Sequence, residues 1–209
     1  MTSIVLLQRD HEASPHLSAL IATVPEFTVT GVAHTVLEAR GIVRATRPDI
    51  LVTDLRVQDG SVHGLLAELR RQGSPHILVT MVSHDDTALL QALKAGADGY
   101  WVHARSPDLL LSTLAQLARG ESPMSPLIAR QVLTYFEGPA SPGRPNPSIK
   151  PPALTGTERE ILQRVAQGYL IDEIAQQWQA SVHSVACGIR RVYLKLQCDA
   201  SGGGMSLAA

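Results

Sequence analysis

The sequence predicts a doubly wound α/β unit on a five-stranded parallel sheet, followed by a small all-α unit. Three observations carry this expectation. Over residues 1–120, short β-branched or apolar runs alternate five times with amphipathic helical patterns, an order that calls for a parallel sheet with helices on both faces. A proline-rich stretch then interrupts the chain. Beyond it only helical periodicity remains.

The elements follow in order. Strands are predicted at residues 4–8, 27–33, 49–53, 76–81 and 100–103. Between them Leu17, Leu20, Ile21 and Val24 recur at i, i+3, i+4 and i+7, so they line one face of a helix. The groups Leu65, Leu66 and Leu69, then Leu89, Leu90 and Leu93, then Leu110, Leu114 and Leu117 mark three more helices. A further helical segment at 127–136 leads into residues 137–152, where six of sixteen residues are Pro and two are Gly. That density breaks helix and strand alike and predicts an extended linker. Three helices follow. Ile161, Leu162 and Val165 mark the first, and Ile171, Ile174, Ala175 and Trp178 the second. Val185, Ile189, Val192, Tyr193 and Leu196 mark the third, with Ser181 as its N-cap. The second and third, joined at Gln179-Ala180, have helix-turn-helix spacing. The expected divisions are 1–120, a connecting helix at 121–136, the linker at 137–152, and 153–209.

Composition excludes several classes. The chain has 209 residues, 44% hydrophobic and 18% charged, with net charge −1, which predicts a globular protein. No apolar run approaches the ~18–20 residues that span a bilayer, and residues 1–7 lack a signal peptide's basic flank, so a cytoplasmic protein without membrane contact is expected. Cys187 and Cys198 are too few for a disulfide scaffold. Eight His invite a metal reading, but seven are scattered through 1–120 without an i, i+4 pair, so no metal site is expected. No nucleophile–base pair or phosphate-binding glycine loop points to an enzyme. Residues 1–120 hold 10 basic and 12 acidic residues, and 153–209 hold 5 of each. Within the latter, residues 183–196 contain Arg190, Arg191 and Lys195 and no acid, a local basic stripe.

Particular segments carry a family resemblance. They are Val5-Leu6-Leu7 with Asp10-His11, the run from Pro48 to Leu55, and Ala92-Leu93-Lys94-Ala95-Gly96-Ala97-Asp98-Gly99-Tyr100. In the second half they are Leu154-Thr155, Glu158, Ala166-Gln167-Gly168, Glu173-Ile174-Ala175 and Val192-Tyr193-Leu194-Lys195-Leu196. In this order and spacing, over nearly the whole chain, they resemble response regulators of the NarL/FixJ type. The resemblance implies a flavodoxin-like receiver followed by a LuxR-type helix-turn-helix. It makes Asp54 the phospho-acceptor position and Tyr100 the aromatic that reports activation. It also expects two acids after the first strand to hold Mg²⁺, a hydroxyl ending the fourth strand and a Lys ending the fifth. The sequence departs at each place. Arg9-Asp10 stands for the acids, and His103 for the Lys. A gapless alignment puts Met81 at the hydroxyl position, although Thr80 is adjacent and a one-residue slip restores it. The loop from Arg56 to Gly64 has Gln58 in place of Pro and about two extra residues. The permanently charged Arg9 guanidinium is expected to pair with Asp10 and Asp54 and to repel a divalent cation. The pocket is therefore read as degenerate, with no cofactor, and Mg²⁺ only if the receiver is active after all.

The helix-turn-helix departs too. Where the family carries Thr-Val-Lys-x-His, this chain has Ser184-Val185-Ala186-Cys187-Gly188, and Asp172 stands where Lys is common. Ser184, Cys187, Arg190, Arg191 and Lys195 are the expected contacts to double-stranded DNA. Glycines 202–204 interrupt a fourth, dimer-forming helix, so a homodimer is expected through the receiver. The function expected is transcription regulation by DNA binding, controlled without phosphorylation through dimerisation, a regulatory protein or a small ligand. A protein-interaction regulator that has lost DNA and a conventional phospho-activated regulator stay open.

Overall fold

The computed structural model describes residues 1–73, 75–81, 86–102, 106–137 and 153–200. Its elements run β1 (Thr2–Leu7), α1 (Ala13–Ile21), β2 (Phe27–Ala33), α2 (Val36–Thr46), β3 (Ile50–Asp54), β4 (Arg56–Val57), β5 (Gly60–Ser61), α3 (His63–Gln72), β6 (His76–Met81), α4 (Asp86–Ala95), β7 (Gly99–Val102) and α5 (Pro107–Ala118). Four helices follow: α6 (Pro126–Glu137), α7 (Gly156–Gln167), α8 (Ile171–Gln177) and α9 (Val182–Ala200). Strands β2-β1-β3-β6-β7 form one parallel sheet in that order, as the alternation predicts, and β4 pairs antiparallel with β5. Two strands match the expected bounds; β1, β3 and β7 are displaced by one or two residues, and Asp54 becomes the last residue of β3.

The period-two alternation of a strand sends neighbouring side chains to opposite faces. Ile4 and Leu6 of β1 join Leu17, Ile21, Leu110, Leu114 and Leu117 under α1 and α5. Val5 and Leu7 join the opposite core under α2, α3 and α4, and all four β1 residues are fully buried. That second core does not stop at the sheet. It continues through Ile128 and Val132 of α6 into Ile161, Ile174, Ile189 and Tyr193, so both units share one apolar interior.

Two features explain the Gly96-to-Tyr100 motif. Gly96 has φ +133°, and a Cβ there would lie 2.9 Å from the Leu66 carbonyl oxygen, so only glycine lets α4 end against α3. Asp98, 1% exposed, accepts from the Ile77 N–H at 3.0 Å and from Arg70 Nη1 at 3.2 Å. Its carboxylate ties the start of β6 to α3.

The C-terminal helices form as predicted. Thr155 and Glu158 make a reciprocal capping box at the start of α7, and Gly168 ends it at φ +102°. The turn between α8 and α9 bends at Gln179, φ +52°, and Ser181 Oγ accepts from the Ser184 N–H at 3.1 Å. Gly188 has a packing role. A Cβ there would lie 2.5 Å from Ile161 Cδ1, so its absence lets α9 close on α7. Linker residues 138–152 and glycines 202–204 lie outside the described residues. Among the described residues, no helix is long and apolar enough to cross a membrane.

Candidate functional site

The C-terminal edge of the sheet gathers the receiver residues. Asp54 ends β3 directly opposite Thr80 of β6. The Thr80 hydroxyl donates to Asp54 Oδ1, and the Arg9 backbone N–H donates to Oδ2 at 2.9 Å. This corrects the expectation for Met81. Met81 is 7% exposed and packs in the core, while Thr80, 1% exposed, brings the hydroxyl to the carboxylate. Strand alternation decides between the two, because adjacent residues face opposite sides and only Thr80 sits in register with Asp54.

The expectation for Arg9 is corrected as well. Among the ion pairs of the described residues none joins its guanidinium to Asp10 or Asp54; the main-chain amide makes the contact. The side chain is exposed, where hydration competes well with a surface ion pair. Asp10 turns instead into the loop before α1, with Oδ1 accepting from the Glu12 N–H at 2.9 Å and its carbonyl from Ser14 Oγ at 3.1 Å. Among the described residues, no three His, Cys, Asp or Glu gather as metal ligands. His103 lies outside the described residues.

The loop after Asp54 contributes groups the sequence reading missed. Its extra residues fold into the β4–β5 hairpin, whose Asp59 accepts from the N–H groups of Val36 (2.7 Å) and Leu37 (3.3 Å) at the start of α2. The Val36 N–H is the main cause that holds the Asp59 carboxyl below its usual range. Gln58 donates its backbone N–H to the His34 carbonyl at 3.2 Å, and its Nε2 lies 2.7 Å from His11 Nε2. The His11 and His34 rings stack at 3.6 Å between centroids, and His34 Nδ1 donates to the Gln8 carbonyl at 2.9 Å. The Asp59-Gly60 dipeptide is a hairpin signal that marks this turn in advance.

On α9 the predicted DNA-binding set divides. Arg190 Nη1 donates to the Gly120 carbonyl at 3.0 Å, Tyr193 Oη to the Pro123 carbonyl at 2.9 Å, and Gln197 Nε2 to the Ala97 carbonyl at 3.0 Å. Spaced at i, i+3 and i+7, these residues turn one stripe of α9 onto the α/β unit. Val185, Ile189, Val192 and Leu196 cover the other side, against the C-terminal core. Tyr193 is fully buried; burial first, then nearby Tyr100 and Asp98, pushes its phenol well above the usual tyrosine range. Tyr100, the expected switch aromatic, thus lies beside α9.

Lys195 turns inward. Its Nζ donates to Glu158 Oε2 at 2.6 Å and to the Ala153 carbonyl at 2.9 Å. Burial pushes the Glu158 carboxyl up, but Lys195 and the N–H and hydroxyl of Thr155 outweigh it and hold the carboxyl below its usual range. Arg191, more than half exposed, keeps its guanidinium 3.9 Å from Glu158 Oε1. Ser184 is exposed, and Cys187 Sγ lies 3.4 Å from His183 Nε2. The acid-free stripe is therefore not a free basic patch. Its partners, Glu158 and the Gly120 carbonyl, lie 37 and 70 residues away in the chain.

Comparisons with known proteins agree with this geometry. The response regulator receiver domain family matches residues 5–115. The DNA-binding transcriptional activator DevR/DosR of Mycobacterium tuberculosis is 30% identical over 194 residues, covering 92% of this chain and 87% of its own length. The nitrate/nitrite response regulator NarL of Escherichia coli is 28% identical over 195 residues, covering 92% and 88%. The Salmonella typhimurium RcsB response regulator shares the fold with a TM-score of 0.57 at 18% identity, covering 93% of this chain and 91% of that one. The first two relatives are a DNA-binding transcriptional activator and a nitrate/nitrite response regulator by name. With Asp54 and Thr80 facing each other at the edge of a five-stranded parallel sheet, the chain belongs to the response regulator receiver family.

Proposed function

We propose that this protein is a DNA-binding transcription regulator, with residues 1–120 as receiver, 121–136 as connecting helix, 137–152 as linker and 153–209 as DNA-binding domain. The observation that carries the reading is the α8–α9 pair, a capped helix-turn-helix with Ser184 and Arg191 exposed on its second helix. It sits on a chain whose relative DevR/DosR is a DNA-binding activator. Arg190 faces the receiver in this arrangement, so engaging DNA with it requires α9 to leave that surface. The partners are double-stranded DNA and a second copy of the chain, paired through the receiver.

Control is independent of phosphorylation in this reading. A resident Mg²⁺ does not fit the donor set: Arg9 replaces one acid, Asp10 caps a turn, and both Asp54 oxygens already accept hydrogen bonds. One observation favours the second reading, phosphorylation at Asp54: the Thr80 hydroxyl that would bond an acyl phosphate is in place. Intact mass after acetyl phosphate and Mg²⁺ separates the two, because a phosphoryl adduct absent from Asp54→Ala overturns the first. DNA binding is tested by selection from random duplexes followed by gel shift over a salt series. A selected sequence whose affinity falls steeply with salt supports the reading, and salt-insensitive or absent binding overturns it.

A further inference from the structure

A cleft of about 570 Å³ lies between the receiver and the C-terminal helices. Its floor and walls come from β7 and α5, the segment joining α5 to α6, the turn before α8, and the start of α9. Of eight large apolar side chains exposed among the described residues, four line this one cleft: Leu109, Tyr169, Leu170 and Val182. Scattered exposed apolar residues need no explanation, but half of them converging on one concavity does. A second, independent observation lies deeper. Ser122 also lines the cleft, is 2% exposed, and its Oγ has no hydrogen-bond partner among the described residues. A buried hydroxyl left unpaired has lost its water without gaining a replacement, so it marks a place for a partner group.

We propose that this cleft binds a neutral, largely apolar small molecule carrying one hydrogen-bonding group, which Ser122 Oγ meets. The volume is that of a site for a drug-sized ligand. The apolar walls make a desolvated ion of either sign costly, and the charges disfavour an anion further. Arg119 is the single cation lining the cleft among the described residues, and Glu121 already holds it through two bonds of 3.2 and 3.0 Å. Asp172 adds a negative group at the rim, which disfavours an anionic ligand. Both units supply walls, so an occupant stabilises the arrangement in which α9 lies on the receiver, whether or not α9 reads DNA.

The test uses the full-length chain and N-phenyl-1-naphthylamine, a neutral apolar fluorophore with one N–H. A saturable fluorescence rise at one probe per chain is expected. Leu170→Asp and Val182→Asp, at exposed positions that tolerate a charge without unfolding, weaken it by about tenfold or more. Ser122→Ala weakens it by about threefold to tenfold. Leu37→Asp, at an exposed leucine outside the cleft, leaves it unchanged, and circular dichroism verifies the fold of each variant. Non-saturable binding overturns the proposal, as do aspartate variants that bind like wild type or a Leu37→Asp variant that loses as much. Unchanged affinity in Ser122→Ala overturns the role of its hydroxyl. Binding that emerges only after deletion of residues 201–209 assigns the cleft to the chain's own tail and overturns it too.

Discussion

The hydroxyl of Thr80 donates to Oδ1 of Asp54, from the residue directly opposite in the β3–β6 register. The hydroxyl of a receiver pocket is therefore present while its acidic pair is incomplete, because Arg9 brings only a main-chain amide to the same carboxylate. Arg9→Asp removes a fixed cation and adds a carboxylate beside Asp10. It is expected to give measurable Mg²⁺ binding by titration calorimetry where the wild type gives none, since each added anion favours a divalent ion. Mg²⁺ heat from the wild type would show that two carboxylates suffice.

Tyr193→Phe removes the bond to the Pro123 carbonyl without changing the packing of the ring. A net loss of about 0.5–1.5 kcal/mol from the closed arrangement is expected, which raises DNA affinity by about twofold to tenfold. Arg191→Ala, at an exposed position, should weaken binding and lower the salt slope by about one. Gel shifts over salt on both variants check the pair, and a Tyr193→Phe variant that binds no more tightly counts against release of α9.

Gly188→Ala is expected to destabilise, against helix propensity. Ala normally favours a helix over Gly by about 1 kcal/mol, but overpacking costs about 1–3 kcal/mol, and here the new Cβ meets the buried Ile161 Cδ1. Ile161→Val removes that atom, so the double variant should lose less than the two single losses added together. Urea unfolding of the four proteins measures the coupling.

His63 introduces a pH dependence. Burial holds its imidazole below the usual 6.5; its Nε2 is buried without a hydrogen-bond partner among the described residues, while Nδ1 meets Ser61 Oγ at 2.5 Å. The folded state thus binds the proton less readily than the unfolded chain. The contribution is fully present above 6.5 and is lost as pH falls below it towards the folded value. The urea midpoint of the wild type should drop between about pH 7 and about pH 5, and that of His63→Gln should drop less. Equal slopes would locate the acid sensitivity elsewhere.

The chain by itself determined the layers and their order. The apolar run of β1, the leucine spacings of α3 to α5 and the caps at Ser181 and Thr155 are local patterns, legible wherever the element lies. Asp54 at the sheet edge was legible only through the family resemblance of the run from Pro48 to Leu55, since the predicted strand stops at residue 53. What the tertiary structure decided is which groups meet. The choice of Thr80 over Met81 rests on register with a strand 26 residues away. The fate of Arg190 and Lys195 rests on a carbonyl and a carboxylate 70 and 37 residues distant. Arg9 adjoins Asp10 in sequence and was expected to reach Asp54 as well, yet only its main-chain amide meets Asp54. Gly188, a weak helix residue in sequence terms, turns out to lie against the buried Ile161 side chain. Charge and propensity are properties of a residue, but pairing, burial and close approach belong to the space between elements, and only the folded chain fixes that space.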